Sequence, residues 1–189
     1  WLVDNINLRK HNDIEYGVWE YHFPWKIYDL EPSWVSGMAQ GVGLQVLVRA
    51  YKLTQKQKYL EVARKALNAF FIEVKDRGVT YKENDREWWY EEYASPYSKK
   101  SMVLNGMEHS LIGIHEYYIF TGDQKAKALF DKGIRSLIKN INNYDAGWWT
   151  YYDALGSFAN LKYHNININL TKKLFEITQN QTLKHYVDR

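Results

Sequence analysis

The sequence reads Tyr51-Lys52-Leu53-Thr54-Gln55-Lys56-Gln57 at the end of its first long apolar stretch, and this short polar turn recurs twice. In every copy an aromatic residue precedes a Thr that polar residues follow, and the other copies are Phe120-Thr121-Gly122-Asp123-Gln124 and Phe175-Glu176-Ile177-Thr178-Gln179-Asn180-Gln181. A largely apolar stretch leads into each turn, over residues 34–53, 102–120 and 163–177. The pattern predicts three buried helices, each of which ends at a turn.

Amphipathic segments follow the first two turns. Their apolar residues recur at helical spacing among charged ones: Tyr59, Leu60, Ala63, Leu67, Phe70 and Phe71, then Leu129, Ile134, Leu137, Ile138 and Ile141. These segments predict helices with one face in water. Residues 165–170 alternate Asn with Ile and Leu, as a strand would. Their place in the repeat predicts helix instead, and the last outer helix is expected to begin near Thr182 and to be short.

A buried helix, a turn and a half-exposed helix, repeated about every 60 residues, predict helical hairpins in an inner and an outer layer. We therefore expect an all-α chain that forms an incomplete α/α toroid over residues 34–189. Residues 1–33 are expected to be an N-terminal extension packed on the toroid. The alternative, an open solenoid of helix pairs, has a shorter usual repeat of roughly 33 to 47 residues.

Length and composition limit the class of protein. The 189 residues, 46% of them hydrophobic and 25% charged, fit one folded domain. The absence of Cys excludes disulfides and thiolate metal sites, and no signal peptide or membrane span is visible. A net charge of +3 without long basic runs argues against nucleic acid and fits an acidic ligand. The sequence indicates no compartment, and it leaves a homodimer and a missing upstream domain open.

Aromatic residues with a polar edge are over-used, since the chain has 16 Tyr and 8 Trp but only 7 Phe. They concentrate in three loops that precede the inner helices, at residues 23–28, 87–93 and 148–153. In successive hairpins these loops are expected to converge on one rim, where helix N-termini favour an anion. Such rings stack on sugars, although a simple aromatic plug explains the same pattern. The loop carboxylates Glu91, Glu92 and Asp153 are candidates for acid–base chemistry.

Two other motifs suggest a dinucleotide-binding loop and a metal site, but neither has the residues that such a site requires. Gly41-Val42-Gly43 lacks the third glycine of a dinucleotide-binding loop and predicts close helix packing instead. His109 and His115 are six positions apart and do not share a helix face, so no metal site is predicted. No cofactor is expected.

Four segments resemble the C-terminal catalytic domain of the D-glucuronyl C5-epimerase family. They are residues 32–41 (Pro-Ser-Trp-Val-Ser-Gly-Met-Ala-Gln-Gly), residues 89–93 (Trp-Tyr-Glu-Glu-Tyr) followed by residues 103–106 (Val-Leu-Asn-Gly), residues 144–147 (Tyr-Asp-Ala-Gly) with residues 151–153 (Tyr-Tyr-Asp), and Tyr163-His164. The resemblance covers the chain from about residue 34 to the C-terminus. It implies an incomplete α/α barrel, an isomerase activity on glucuronic acid units of heparan-type polysaccharides, and an acidic oligo- or polysaccharide as the partner.

The resemblance also implies site residues. The catalytic set is Glu92, Tyr93, Tyr152 and Tyr163, with Tyr152 and Tyr163 as the acid and base. The substrate-binding set is Ser36, Gly37, Met38, Ala39, Trp89, Asn105, His109, Lys162 and His164. This chain has Leu155 where the animal enzymes place an Arg, which leaves Lys162 or Arg49 to neutralise the substrate carboxylate.

C5 epimerisation removes a proton next to a carboxylate and returns one on the opposite face, so it needs two groups on opposite sides of the sugar. A uronic-acid C5-epimerase is accordingly the function that we expect. Three alternatives remain at this point. They are a polysaccharide lyase that shares the proton abstraction, a glycoside hydrolase using Glu92 and Asp153, and a non-catalytic sugar-binding module.

Overall fold

The computed structural model describes residues 1–188 and is mostly helical. The α-helices are α1 (Gly37–Thr54), α2 (Lys58–Asn68), α3 (Leu104–Thr121), α4 (Gln124–Asn140), α5 (Leu161–Thr178) and α6 (Gln181–Val187). Short antiparallel strands form three pairs: β1 (Asn7–His11) with β2 (Ile14–Val18), β3 (Glu20–Tyr21) with β4 (Trp34–Val35), and β5 (Thr80–Lys82) with β6 (Trp88–Tyr90). The chain is mostly helical as expected, and these short strand pairs are additions that were not predicted.

The three predicted turns share one hydrogen-bond pattern. The Thr that ends each inner helix donates its hydroxyl to the carbonyl four residues earlier, at 2.7 to 2.8 Å. The next residue takes the left-handed conformation, with φ between 54° and 71°, and the three residues are Gln55, Gly122 and Gln179. The N–H of this residue bonds to the carbonyl four residues earlier, which caps the helix where the chain reverses. The predicted helix ends are confirmed.

The rest of the helix prediction is confirmed except at its edges. Residues 165–170 lie within α5, as their place in the repeat predicted. The predicted short last helix is α6, and Arg189, where the prediction ended, lies outside the described residues. The first inner helix begins at Gly37 rather than at Trp34, because Trp34 and Val35 pair with β3.

The helices form three hairpins, α1 with α2, α3 with α4, and α5 with α6, and α3 packs against both α1 and α5. The closest approach is between α1 and α3. Gly41 and Gly113 meet there, and a Cβ built on Gly113 would lie 2.1 Å from the Gly41 carbonyl oxygen. Since the obstacle is backbone, the two helices could not remain at this distance with a larger residue. The predicted packing role of Gly41 is thus confirmed.

Gly113→Ala is expected to lower the free energy of unfolding by about 1–3 kcal/mol or more, because α3 must move away from α1. Ile119→Ala on the same helix is the control, since Ile119 is 66% exposed. Guanidinium unfolding followed by circular dichroism measures both. An unchanged midpoint for Gly113→Ala would show that α1 and α3 do not pack at this distance.

Residues 1–33 join the core. Tyr16, Val18 and Trp19 are buried in the same hydrophobic cluster as the helices, and β2 packs against α2. The division of the chain at residue 33 stays a prediction. No helix within residues 1–188 combines the length and the apolar character that crossing a membrane requires.

Candidate active site

Two adjacent glutamates, Glu91 and Glu92, follow β6, and they differ in their hydrogen bonds. Glu91 is fully buried, and its carboxylate is fully used. Oε1 accepts from the Ser101 hydroxyl at 2.7 Å and from the backbone N–H of Glu92 at 3.1 Å, and Oε2 accepts from the Met102 N–H at 2.9 Å. Glu91 therefore ties the segment after β6 to the segment before α3. This carboxylate holds structure and has no oxygen left for chemistry.

Glu92 is buried without such partners. Its side chain is 5% exposed, and its Oε2 has no hydrogen-bond partner within residues 1–188. Burial, and to a smaller degree the charge of Glu91, raises the pKa of Glu92 to about 7, although the Tyr93 phenol opposes the shift. Glycine at position 106 makes room for this carboxyl group, since a Cβ there would lie 2.5 Å from Oε2. A carboxyl group with this pKa can take up or release a proton at neutral pH.

Three phenols lie in contact in front of Glu92. The hydroxyl oxygens of Tyr93 and Tyr152 are 3.2 Å apart, which is hydrogen-bond distance. The Tyr163 ring meets the Tyr152 ring edge to face, with centroids 4.9 Å apart. Glu92 acts electrostatically on both Tyr93 and Tyr152 and raises their pKa. The structure thus brings together all four residues of the predicted catalytic set.

Burial is the main cause of the raised pKa of Tyr93 and Tyr152, and the nearby Glu92 is the second. Both phenols are therefore protonated at neutral pH, and each can donate a proton or a hydrogen bond. The expectation that a phenol acts as the base does not fit Tyr152, because no cation stabilises its phenolate in the described chain. The carboxylate is the better base of the two.

Helix starts lie around this cluster. The first residue of α1, Gly37, donates its N–H to the Glu91 carbonyl at 2.8 Å. The first residue of α3, Leu104, donates its N–H to the Tyr152 carbonyl at 3.1 Å. Tyr163 itself lies in the first turn of α5. The N-terminal ends of α1 and α3 are therefore bonded to the segments that carry the catalytic candidates, and that of α5 contains Tyr163. Their dipoles favour an anionic group nearby.

The cations proposed for the substrate carboxylate differ in position. Lys162 is exposed, and its Nζ lies 5.6 Å from the Tyr163 ring centroid. Arg49 is on the last turns of α1, where its guanidinium forms two bonds of 2.7 and 2.8 Å with Glu116. Arg49 is thus engaged in an ion pair with Glu116, and a role for it at the site stays a prediction. Leu155, at the position of the family Arg, is exposed.

Several predicted substrate contacts have other partners in the structure. Ser36 caps α1 through a bond from the Ala39 N–H at 3.2 Å, and Gly37 uses its N–H as described. Met38 and Ala39 line a different, apolar groove with Trp19. Trp89 is fully buried and stacks with Tyr144, with ring centroids 6.0 Å apart, and its role as a substrate contact stays a prediction.

The remaining predicted contacts lie on α3 and α5. Asn105 is buried, and its Nδ2 lies 3.5 Å from Asn167 Oδ1. His109 is half-buried, and burial together with the charge of Lys173 lowers its pKa. His164 stacks on Trp149 at 3.9 Å and lines a pocket that contains none of the four catalytic candidates.

The N-terminal region contributes aromatic rings to the site, and this contribution was not predicted from the sequence. Tyr28 stacks on Tyr93 with ring centroids 4.6 Å apart, and Trp34 meets the same ring at 5.7 Å. The over-use of Tyr and Trp in residues 23–28 was the available signal. It marked the loop, but not which ring contacts Tyr93.

Comparison with known proteins gives the family. The sequence model of the protein family described as the D-glucuronyl C5-epimerase C-terminus matches residues 12–189 of this chain. A D-glucuronyl C5-epimerase of Caenorhabditis elegans is 38% identical over 212 residues, which cover all of this chain and 33% of that protein. An uncharacterized protein of Methanocaldococcus jannaschii is 35% identical over 159 residues, covering 82% of this chain and 51% of that protein. The chain thus spans between a third and a half of these relatives.

Solved structures agree at the level of the fold. The cellobiose 2-epimerase of Spirochaeta thermophila has a TM-score of 0.54 at 13% identity, covering 81% of this chain and 41% of that one. A sugar epimerase from a ruminal bacterium has the same TM-score at 12% identity, with the same coverage. The family match over residues 12–189 and the relative aligned over the full chain establish that this chain belongs to the D-glucuronyl C5-epimerase C-terminal family.

Proposed function

We propose that this chain carries the catalytic centre of a carbohydrate C5-epimerase that acts on uronic acid units. One observation supports this most directly. A buried carboxyl group with a pKa of about 7, Glu92, stands beside two hydrogen-bonded phenols, Tyr93 and Tyr152, that are protonated at neutral pH. Inversion at an acidic carbon requires a base on one face of the sugar and an acid on the other, and we assign these roles to Glu92 and Tyr152.

In the first step Glu92, in its ionised form, takes the proton from C5 of the sugar. The C5–H bond breaks, and its electron pair moves onto the C6 carboxylate to form an enediolate. The buried position of Glu92 makes its carboxylate more basic than an exposed one, since water does not stabilise the charge. This is a different assignment from the expected phenol pair, with Glu92 as the base and Tyr152 as the acid.

In the second step the Tyr152 hydroxyl donates its proton to C5 from the opposite face. Glu92 is then protonated and Tyr152 is a phenolate, so one proton must return before the next turnover. Tyr93 provides the path, because its hydroxyl lies 3.2 Å from that of Tyr152 and its side chain interacts with Glu92. Passage of one proton from Glu92 through Tyr93 to Tyr152 restores both groups. Tyr163, in contact with the Tyr152 ring, adds a second hydroxyl at the substrate side.

The enediolate carries additional negative charge, which must be stabilised. The Lys162 ammonium beside Tyr163 and the N-terminal turn of α3 are the positive groups that we assign to it. In an incomplete α/α toroid with its aromatic loops on one rim, these groups would face a single open mouth. The substrate that fits them is an acidic oligo- or polysaccharide.

The direct test is proton NMR of the protein with a panel of uronic-acid oligosaccharides in deuterated water. Deuterium at C5, together with signals of the inverted sugar and without chain cleavage, is the expected result. Signals of an unsaturated uronate would make the chain a lyase. Binding without exchange would make it a sugar-binding module, and either outcome would overturn the proposal.

The rate of exchange is expected to depend on pH through Glu92. Below pH 7 this carboxyl group is protonated and cannot accept the C5 proton, so kcat/KM should rise between pH 5 and pH 8 with a midpoint near its pKa of about 7. An ordinary exposed glutamate would place the midpoint more than two pH units lower. Initial rates of C5 deuteration across this range measure the profile, and a flat profile would exclude Glu92 as the base.

A further inference from the structure

Tyr28 reaches the site from the N-terminal region. It ends a short 3-10 turn, Lys26–Tyr28, which lies before β4, and its side chain is 4% exposed. Its ring lies nearly parallel to that of Tyr93, with an angle of 19° and a centroid distance of 4.6 Å. This stacking fixes the plane of the Tyr93 ring, because a tilted Tyr93 ring would collide with the Tyr28 ring.

The Tyr28 hydroxyl is fixed in turn by Asp153. It donates to Asp153 Oδ2 at 2.7 Å, and the Asp153 side chain is fully buried. The other oxygen, Oδ1, accepts from the backbone N–H groups of Leu155 and Ser157, both at 3.0 Å. Both carboxylate oxygens are occupied and shielded from solvent. Asp153 therefore cannot serve as the second carboxylate of a glycoside hydrolase, which was one of the alternatives from sequence.

These contacts connect four residues in a closed cycle. Tyr93 bonds to Tyr152 through the two hydroxyls, Tyr152 precedes Asp153 in the chain, Asp153 accepts from Tyr28, and Tyr28 stacks on Tyr93. Two segments that are 125 positions apart in sequence are joined at the Tyr28–Asp153 bond. Because Tyr28 and Asp153 are both buried, water does not compete for the hydrogen bond between them.

We propose that Tyr28 and Asp153 are positioning residues that set the distance between the Tyr93 and Tyr152 hydroxyls. The effect of these residues on catalysis rests on the proposed function. Their effect on the positions of the two hydroxyls does not depend on it. Proton transfer between two phenols depends steeply on their separation, and an error of 1 Å in a catalytic group costs about a hundredfold in rate. Neither Tyr28 nor Asp153 touches the reacting atoms in this scheme.

Tyr28→Phe tests the bond without removing the ring, and Tyr97→Phe is the matched control, since Tyr97 is 89% exposed. In the C5 exchange assay, Tyr28→Phe is expected to lower kcat by about tenfold and to leave KM within about twofold, because the hydroxyl pair is misplaced but no substrate contact is lost. Tyr97→Phe should match the wild type in both constants. An unchanged kcat for a folded Tyr28→Phe protein would overturn the proposal.

A second measurement separates this proposal from the proposed function. The protein is labelled with 3-fluorotyrosine, and the fluorine signals of Tyr93 and Tyr152 are assigned from their Phe variants. Both signals should shift in Tyr28→Phe and stay in place in Tyr97→Phe. If the wild type shows no C5 exchange, the proposed function fails, and these signals alone decide the positioning role: shifted signals support it, and unshifted signals overturn it. Asp153→Asn, which keeps the side-chain size, carries the same test if Tyr28→Phe does not fold.

Discussion

Glu92→Gln is expected to reduce C5 exchange by about a thousandfold, within the range of 10²–10⁴ that a positioned acid or base contributes. The amide keeps the size of the side chain and the space provided at Gly106, but it cannot accept the C5 proton. KM should change little, because the loss falls on the chemical step. Exchange rates measured at pH 8 give the comparison, and retention of a tenth of the wild-type rate would place the base elsewhere.

The same variant, Glu92→Gln, is also expected to be more stable than the wild type at neutral pH, whereas most core mutations destabilise. The folded protein raises the pKa of Glu92 to about 7 from an ordinary value of 4.5, so it holds this proton more tightly than the unfolded chain. Stability from this group is therefore fully present below pH 4.5 and is lost as the pH rises to 7, by about 3 kcal/mol. Glutamine does not titrate and removes this loss.

Unfolding by urea at pH 5 and pH 8 measures the effect on the wild type and on Glu92→Gln. The wild type should lose more stability than the variant between the two pH values, and other titrating groups cancel in the difference. Glu91→Gln is the matched comparison. Its amide NH2 would replace an oxygen that accepts from Ser101 or Met102, so it is expected to destabilise by about 1–3 kcal/mol. Equal pH dependence in the wild type and Glu92→Gln would show that Glu92 is not buried as described.

Local physics explains which parts of the fold could be predicted. A Thr hydroxyl bonded to the fourth preceding carbonyl and a left-handed residue after it need only neighbours in sequence, so the three turns and helix ends follow from short motifs. The pairing of β3 with β4 does not. Glu20–Tyr21 and Trp34–Val35 are two residues long and pair across a gap of more than ten residues, so neither carries a periodic pattern.

The site shows the same limit more sharply. Glu91 and Glu92 are adjacent and identical in type, and spacing alone could not tell the carboxylate with both oxygens hydrogen-bonded from the one whose Oε2 has no hydrogen-bond partner within residues 1–188. The distinction comes from Ser101 and Met102, which approach Glu91 only in the folded chain. The resemblance to the family selected Glu92, and the contacts give a physical reason for that choice. The role of Tyr28 depends on Asp153, and no local pattern links those two positions.

Tyr152→Phe is expected to separate inversion from exchange. Phenylalanine keeps the ring that meets Tyr163, but it removes the hydroxyl that bonds to Tyr93. Glu92 can still remove the C5 proton and return a solvent-derived one to the same face. We therefore expect formation of the inverted sugar to fall by about a thousandfold, while deuterium still enters C5 of the recovered starting sugar at a lower rate.

Tyr151→Phe is the control for that experiment, because the ring of the adjacent Tyr151 packs on Phe158, with centroids 4.8 Å apart. It should leave both rates near those of the wild type. Proton NMR reads inversion and exchange in one sample. If Tyr152→Phe lowered both processes equally, Tyr152 would act on the formation of the enediolate rather than on its protonation. If inversion persisted, the proton on the second face would come from another group, and Tyr163, whose ring lies 4.9 Å from that of Tyr152, is the group that the geometry would then assign.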